Sequence, residues 1–131
     1  MQNKLGFTLL EIGLVVGIIG IVGAVSVPRF QAFQARAKQA EARNNLLQIA
    51  QLQDAFRKAN QVYAGTLADL GFHPAAYTRY QYALPVAGET TFLGLAQAAS
   101  PDVILSGCGA RDTWTVDQDA RLTVTTDCAA K

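Results

Sequence analysis

The apolar and polar positions divide the chain into parts of different character, and the first part is almost wholly apolar. From residue 7 to residue 28 only a few side chains are polar, and Glu11 is the only charged one among them. An α-helix of about 20 apolar residues spans the hydrocarbon core of a bilayer. The pattern therefore predicts a membrane-spanning helix over residues 7–28.

Residues 29–60 continue the helical pattern but become amphipathic. No Gly or Pro lies between Arg29 and Asn60, and apolar side chains recur on one face. The predicted apolar face comprises Phe30, Phe33, Ala37, Ala40, Leu47, Ala50 and Phe56, widened by Leu46, Ile49 and Leu52. A single helix over residues 8–60 would be about 80 Å long. This length favours a ladle-shaped molecule with a membrane-embedded handle.

The last part of the chain, residues 61–131, is divided into short pieces by glycines and prolines, which favour turns. Strands are predicted at residues 79–84, 90–96, 103–105, 113–116 and 121–125, with a short helical turn at 66–70. Residues 117–120 predict a hairpin turn between the last two strands. The predicted fold class is therefore α+β, with a long N-terminal helix packed on a small antiparallel C-terminal sheet. We refer to residues 61–131 as the head.

Glu11 is the unusual residue of the apolar segment. A carboxylate within a membrane segment costs about 2.5–3.5 kcal/mol on insertion scales and points to a function. Glu11 either lies at the level of the lipid headgroups or is neutralised by a cation. If the chain is cut after Gly6, the new amine of Phe7 lies four residues before Glu11, about one helical turn away. That amine, on the same chain or on a neighbour, is a suitable cation.

The residues at this junction resemble the class III leader of type IV pilins. A short leader with Lys4, residues 1–6, ends in Gly6 and is followed by F-T-L-L-E, close to the family pattern G-F-T-L-x-E. The resemblance implies cleavage between Gly6 and Phe7 and N-methylation of Phe7, both by a prepilin peptidase. It also implies that Glu11 pairs with the Phe7 amine of an adjacent subunit during assembly. Gly20 and Pro28 match positions where the family's helix loosens in the fibre.

The resemblance implies a structural subunit, most closely a type IVa major pilin. Such a protein is a single-pass prepilin in the inner membrane with its head in the periplasm. It then polymerises with copies of itself, through an inner-membrane assembly platform, into an extracellular pilus. Motility, adhesion, DNA uptake and electron transport stay open as uses of the fibre. The alternatives are a minor pilin, a type II secretion pseudopilin, a membrane-anchored periplasmic binding domain, or a secreted domain cleaved near residues 23–26.

Two cysteines, Cys108 and Cys128, lie near the end of the chain, and their spacing is not that of a CxxC motif. A disulfide is predicted for an exported chain, and two separate buried thiols are the alternative. The loop they frame resembles the pilin D-region. The sequence gives conflicting signals on which side of the membrane the head lies. Four basic residues follow the apolar segment, and under the positive-inside rule they favour the cytoplasm. The cysteines and the leader favour the periplasm instead.

Few residues elsewhere in the sequence are candidates for catalysis or metal binding. The chain is therefore predicted not to be an enzyme and to need no metal or cofactor. The one histidine, His73, precedes a proline and is interpreted as a surface loop residue. The carboxylates Asp112, Asp117, Asp119 and Asp127 lack EF-hand spacing and are interpreted as turn formers. A net charge of +1 predicts no specific nucleic-acid partner. Five head aromatics are interpreted as packing residues: Tyr77, Tyr80, Tyr82, Phe92 and Trp114.

Overall fold

The computed structural model describes residues 6–130, so the predicted leader lies outside the described residues except for Gly6. In chain order the elements are α1 (Leu9–Asn60), β1 (Tyr80–Ala87), β2 (Phe92–Ala98), β3 (Thr113–Asp117) and β4 (Leu122–Thr126). The chain forms two compact units, and the boundary between them follows Gln31. The first unit contains the apolar part of α1, and the second contains the amphipathic part of α1 together with the head.

The long helix predicted from the sequence is confirmed. α1 begins at Leu9, one residue later than predicted, and is continuous through Pro28 to Asn60. Arg57 in its last turn complements the negative end of the helix dipole. The helix ends because Gln61 adopts a left-handed conformation, with φ of 65°, and its N–H donates to the Arg57 carbonyl.

The sheet has the strand order β1-β2-β3-β4, and all three pairings are antiparallel. Four of the five predicted strands are confirmed with shifted ends. The strand predicted at residues 103–105 is wrong, because this segment forms a turn. Ile104 is buried there, and Lys38 Nζ donates to the carbonyls of Val103 and Ile104 at 3.3 and 3.2 Å. The apolar run therefore packs as a loop, with two of its carbonyls bonded by α1.

The hairpin turn predicted at residues 117–120 joins β3 and β4. Asp117 Oδ1 accepts from the N–H groups of Asp119 and Arg121 at 3.0 and 2.9 Å. Ala120 adopts a left-handed conformation, with φ of 56°. Asp117 is thus a turn former, as its sequence context predicts. A short helical turn is predicted at residues 66–70; the structure has a turn at residues 67–71 and no helix there.

The face of α1 that packs in the second unit differs from the predicted one. Its buried residues are Ala35, Gln39, Ala42, Leu46, Ile49, Ala50 and Gln53. Ala50, Leu46 and Ile49 belong to the prediction, whereas Phe33 is 70% exposed. The true face follows alternating steps of four and three residues but includes two glutamines. Their amides are satisfied by head atoms, so polar residues occupy positions that the hydrophobic pattern assigned to solvent.

Gly94 in β2 lies where side chains of β3 and α1 meet. A Cβ atom at this position would lie 2.8 Å from Val116 Cγ1, 3.6 Å from Leu46 Cδ2 and 3.7 Å from Ile49 Cγ2. The first distance is too short for a real contact. Because Val116 is buried in β3 between its neighbours, it has little room to move. The absence of a side chain at residue 94 therefore leaves room for Val116 in the layer between sheet and helix.

Gly94→Ala is expected to lower the free energy of unfolding by about 1–3 kcal/mol through overpacking. Urea unfolding of the full chain in detergent micelles, followed by the fluorescence of Trp114, measures this change. Gly65→Ala is the control, since a Cβ there meets no atom within 4 Å. The control should change stability by no more than about 0.5 kcal/mol. Equal stabilities of the two variants would contradict the packing described for Gly94.

Candidate assembly site

The first unit exposes a continuous set of large apolar side chains. Leu9 is 93% exposed, and within this unit large hydrophobic residues stay exposed along α1 as far as Phe30. α1 is long and apolar enough to cross a membrane, and its apolar part lies near the N-terminus. Monomeric soluble proteins rarely expose apolar patches of this size. The segment therefore requires lipid or other protein to cover it.

Glu11 lies in the first turn of α1, where it forms a capping box with Thr8. The Glu11 N–H donates to Thr8 Oγ1 at 3.2 Å, and the Thr8 N–H lies 3.5 Å from Glu11 Oε2. Together these contacts satisfy donors that the start of a helix leaves without partners. This role of Thr8 is not among the predictions from the sequence, although residues 8–11 carry the T-x-x-E signal of a capping box. The box holds the carboxylate at the N-terminal end of the apolar segment.

The predicted cleavage junction is open in the structure. Gly6 and Phe7 precede the first helical residue, and Phe7 is 76% exposed. A Cβ atom at Gly6 would meet no other atom within 4 Å. Gly20 and Pro28 lie within continuous helix, so the loosening assigned to them by resemblance stays a prediction.

In the head, Cys108 and Cys128 form a disulfide with a Cα–Cα distance of 5.5 Å, as predicted. The bond joins the loop that follows β2 to the segment that follows β4. Both cysteines are buried, and Cys128 has no exposed surface. The alternative of two separate thiols is therefore wrong.

A polar cluster centred on Asp112 lies beside this disulfide. Asp112 is fully buried, and its Oδ1 accepts from Gln39 Nε2 at 2.9 Å and from the Cys128 N–H at 2.8 Å. Its Oδ2 accepts from the Tyr80 hydroxyl at 2.6 Å and from Trp114 Nε1 at 2.8 Å. The interpretation of Asp112 as a turn former is therefore wrong. Four donors from α1, β1, β3 and the C-terminal segment replace the water that a surface carboxylate would have.

Asp127 extends this arrangement. Its Oδ1 accepts from the same Gln39 Nε2 at 2.7 Å and from the Ala129 N–H at 2.8 Å.

Tyr80 lies on the other side of the cluster, and its pKa is changed by the surroundings. Burial, followed by the hydrogen bond to Asp112 and the charge of that carboxylate, raises the pKa of the Tyr80 hydroxyl far above its usual range. Tyr80 therefore stays a hydrogen-bond donor at physiological pH.

The other residues considered from the sequence are not brought together. Asp119 lies in the β3–β4 turn, and His73 is exposed in the loop between α1 and β1. Within residues 6–130, no three His, Cys, Asp or Glu side chains form a group suited to a metal ion. The aromatic side chains of the head pack as predicted, except that Tyr77 is 97% exposed.

Tyr82 gives the second unit a distinct response to alkaline pH. Its hydroxyl accepts from Asn45 Nδ2 at 2.7 Å. Burial, opposed by this hydrogen bond and reinforced by Glu41, raises the pKa of Tyr82 from 10.0 to about 12. In the interval between those values the unfolded chain loses this proton while the native chain keeps it. The contribution of Tyr82 to the stability of the fold is therefore complete below the pKa of the unfolded chain, 10.0. It is lost as pH rises toward the pKa of the folded chain, about 12.

Tyr82→Phe is expected to make the loss of stability above pH 10 less steep, because it removes one of the groups that titrate only on unfolding. Urea unfolding between about pH 8 and pH 12 measures the slope. Tyr77→Phe is the matched control, since the Tyr77 side chain is exposed and should leave the slope unchanged. Equal slopes for wild type and Tyr82→Phe would contradict the burial of the Tyr82 hydroxyl.

Comparison with known proteins agrees with this arrangement. A family profile described as "Type IV minor pilin ComP, DNA uptake sequence receptor" matches residues 28–111. The "Type IV major pilin protein PilA" of Myxococcus xanthus (strain DK1622) is 42% identical over 82 residues. That alignment covers 63% of this chain and only 37% of the length of the Myxococcus protein.

The chain belongs to the type IV pilin family. The profile covers well over half of its residues, from the amphipathic part of α1 into the disulfide loop. The membership of the pilin family inferred from the leader motif is thereby confirmed, and the profile match lies in a different part of the chain from that motif. The α+β fold class predicted from the sequence is also confirmed, with one long helix and a four-stranded antiparallel sheet.

Proposed function

We propose that this protein is a structural subunit of a type IV pilus and not an enzyme. It is inserted in the inner membrane as a prepilin with its head in the periplasm. A prepilin peptidase cleaves it after Gly6 and methylates Phe7, and an assembly platform then adds it to an extracellular fibre. The observation that carries the proposal is the exposed apolar segment with Glu11 at its start, on a chain of the pilin family.

The apolar segment has two successive environments in this proposal. Before assembly it lies in lipid, and in the fibre it packs against the same segment of neighbouring subunits. Lipid tails are as apolar as these side chains, so the hydrophobic effect contributes little to the exchange. A specific attraction is therefore needed. The pair between Glu11 and the Phe7 amine of a neighbour supplies it, because opposite charges attract most strongly where the dielectric constant is low.

The glycines of the segment contribute to the same step. A Cβ atom at Gly13 or Gly17 would meet no other atom within 4 Å in the single chain, so the chain's own packing does not explain these residues. The Gly13-x-x-x-Gly17 spacing permits close approach of a second helix. Neighbouring apolar segments thus gain van der Waals contact where the glycines meet.

Electron microscopy of sheared surface material tests the proposed function. Cells that make this chain are compared with cells from which it is deleted, and antibodies against the head label the fibres. We expect labelled fibres only in the first case. Normal fibres in the deletion strain would contradict a role as the major subunit. A chain that stays in the membrane and never enters fibres would favour a membrane-anchored binding domain.

A minor pilin that receives DNA is the second candidate, and the profile match over residues 28–111 favours it. The net charge of +1 argues against strong nonspecific attraction to phosphate. Fluorescence anisotropy of a short duplex, with the chain at roughly micromolar concentration and at several salt concentrations, separates the two candidates. Saturable binding that weakens with salt supports the second candidate. A chain that forms the bulk of the fibre and leaves the duplex free supports the first.

A further inference from the structure

Asp112 has a role in the structure that fibre assembly does not explain. Its carboxylate is fully buried, and its four donors are an amide, a phenol, an indole and a backbone N–H. Burial of a carboxylate is costly unless such donors are held in place around it. One of these donors is the backbone N–H of Cys128, a member of the disulfide.

The segments carrying the two cysteines are both attached to adjacent residues of α1. Gln39 Nε2 donates to Asp112 Oδ1, which also accepts from the Cys128 N–H. On the other side, Lys38 Nζ donates to the carbonyls of the 103–104 turn, a few residues before Cys108. These contacts involve no sulfur atom, so they are available before the disulfide forms. Together they attach the segments that carry the two cysteines to α1.

We propose that Asp112 is a positioning residue for disulfide formation. By binding the Cys128 N–H and the Gln39 amide on one oxygen, it holds Cys128 beside Cys108 in the reduced, folded chain. Gln39 acts with it, because its Nε2 also donates to Asp127, the residue before Cys128. The folded second unit thereby raises the effective concentration of one thiol at the other.

The oxidation that Asp112 assists is an exchange with a small-molecule disulfide. The thiolate of one cysteine attacks a sulfur of the reagent, forms a mixed disulfide and releases one reduced thiol. The thiolate of the other cysteine then attacks the cysteine sulfur of the mixed disulfide and releases the second reduced thiol. The protein loses two electrons and two protons, and the reagent gains both. Only the second attack depends on the distance between the two cysteines.

Glutathione is the probe for the experiment. The full chain in detergent micelles is equilibrated with mixtures of reduced and oxidised glutathione and then quenched. The fractions of disulfide and dithiol give the effective concentration of the cysteines. Wild type is compared with Asp112→Ala, Gln39→Met and Gln53→Met. Gln53 is the matched control, because it is also buried on α1 but exchanges hydrogen bonds with Ala64 instead of with the disulfide region.

We expect the effective concentration to fall about tenfold or more in Asp112→Ala and about fivefold in Gln39→Met, since each loses hydrogen bonds to a charged group. Gln53→Met should stay within about twofold of wild type, because general destabilisation weakens the oxidised and reduced chains equally. Values within twofold of wild type for both Asp112→Ala and Gln39→Met would overturn the proposal.

Circular dichroism and Trp114 fluorescence check whether each reduced variant is folded. If reduced Asp112→Ala is unfolded, the comparison of Gln39→Met with Gln53→Met decides. If Gln39→Met unfolds on reduction and Gln53→Met does not, the proposal is supported. The region around the disulfide is then the part of the fold whose stability depends on the Asp112 cluster. Unfolding of both glutamine variants on reduction counts against it, since the effect is then not specific to the cysteines.

Discussion

Glu11→Gln is expected to prevent fibre assembly while the protein stays folded, inserted and cleaved. Removing a charge lowers the cost of placing residue 11 in the bilayer, so the amount of membrane protein should not fall. What is lost is the proposed attraction to the Phe7 amine of a neighbour, which would be strong only in the low-dielectric centre of a fibre. Surface fibres should fall at least tenfold while total mature protein is unchanged, as measured by electron microscopy and immunoblotting.

The capping box makes glutamine an informative substitution at residue 11. Gln can replace Glu at the last position of a capping box, so Glu11→Gln keeps the contact with Thr8 and removes only the charge. Glu11→Ala removes both and should also fail to assemble. Thr8→Val keeps the charge and removes the cap, at a cost of about 0.5–2 kcal/mol to the helix start. Fibres at wild-type level in Glu11→Gln would favour a carboxylate that merely lies among the headgroups.

Gly6→Val is expected to block maturation, so the protein should accumulate in the membrane at the mass of the uncleaved prepilin. Resemblance assigns Gly6 to the cleavage position of the peptidase, where a branched side chain would crowd the enzyme. The chain itself has room for the change, since a Cβ at Gly6 meets no atom within 4 Å. A defect would therefore reflect recognition by the peptidase and not misfolding.

Intact-mass spectrometry of the membrane fraction measures this effect. Gly6→Ala is the graded control, because its smaller side chain should slow cleavage less than valine does. Residue 65, where a Cβ also meets open space, provides a second control outside the first unit as Gly65→Val. Mature mass in Gly6→Val would show that the cleavage position has been assigned wrongly.

Features with local signals were predictable from the sequence. The apolar run and the absence of Gly and Pro between Arg29 and Asn60 predicted α1, and the Asp-rich turn predicted the last hairpin. The two cysteines predicted their disulfide because the resemblance of the leader implied an exported protein. The strand predicted at residues 103–105 was wrong because their apolar pattern resembles that of a strand. Whether such a segment pairs with a neighbouring strand depends on the whole sheet and not on its own residues.

The Asp112 cluster was not predictable because its contacts join distant parts of the chain. Gln39 and Asp112 are 73 residues apart, and Tyr80 and Asp112 are 32 residues apart. Glutamine and aspartate normally lie at the surface, and only the tertiary structure supplies the partners that permit their burial. The same reason explains the wrong helix face. Thr8 differs from these residues, since the T-x-x-E signal of its capping box is local.

The N-terminal peptide of protein taken from purified surface fibres tests the central claim most directly. Fibres are sheared from cells, washed free of membrane and digested, and the peptides of this chain are sequenced by mass spectrometry. The account predicts that the first residue is Phe7 carrying one extra methyl group on its amine. An N-terminus near Ser26, or fibres that contain no peptide of this chain, would contradict the claim that it is a pilus subunit processed after Gly6.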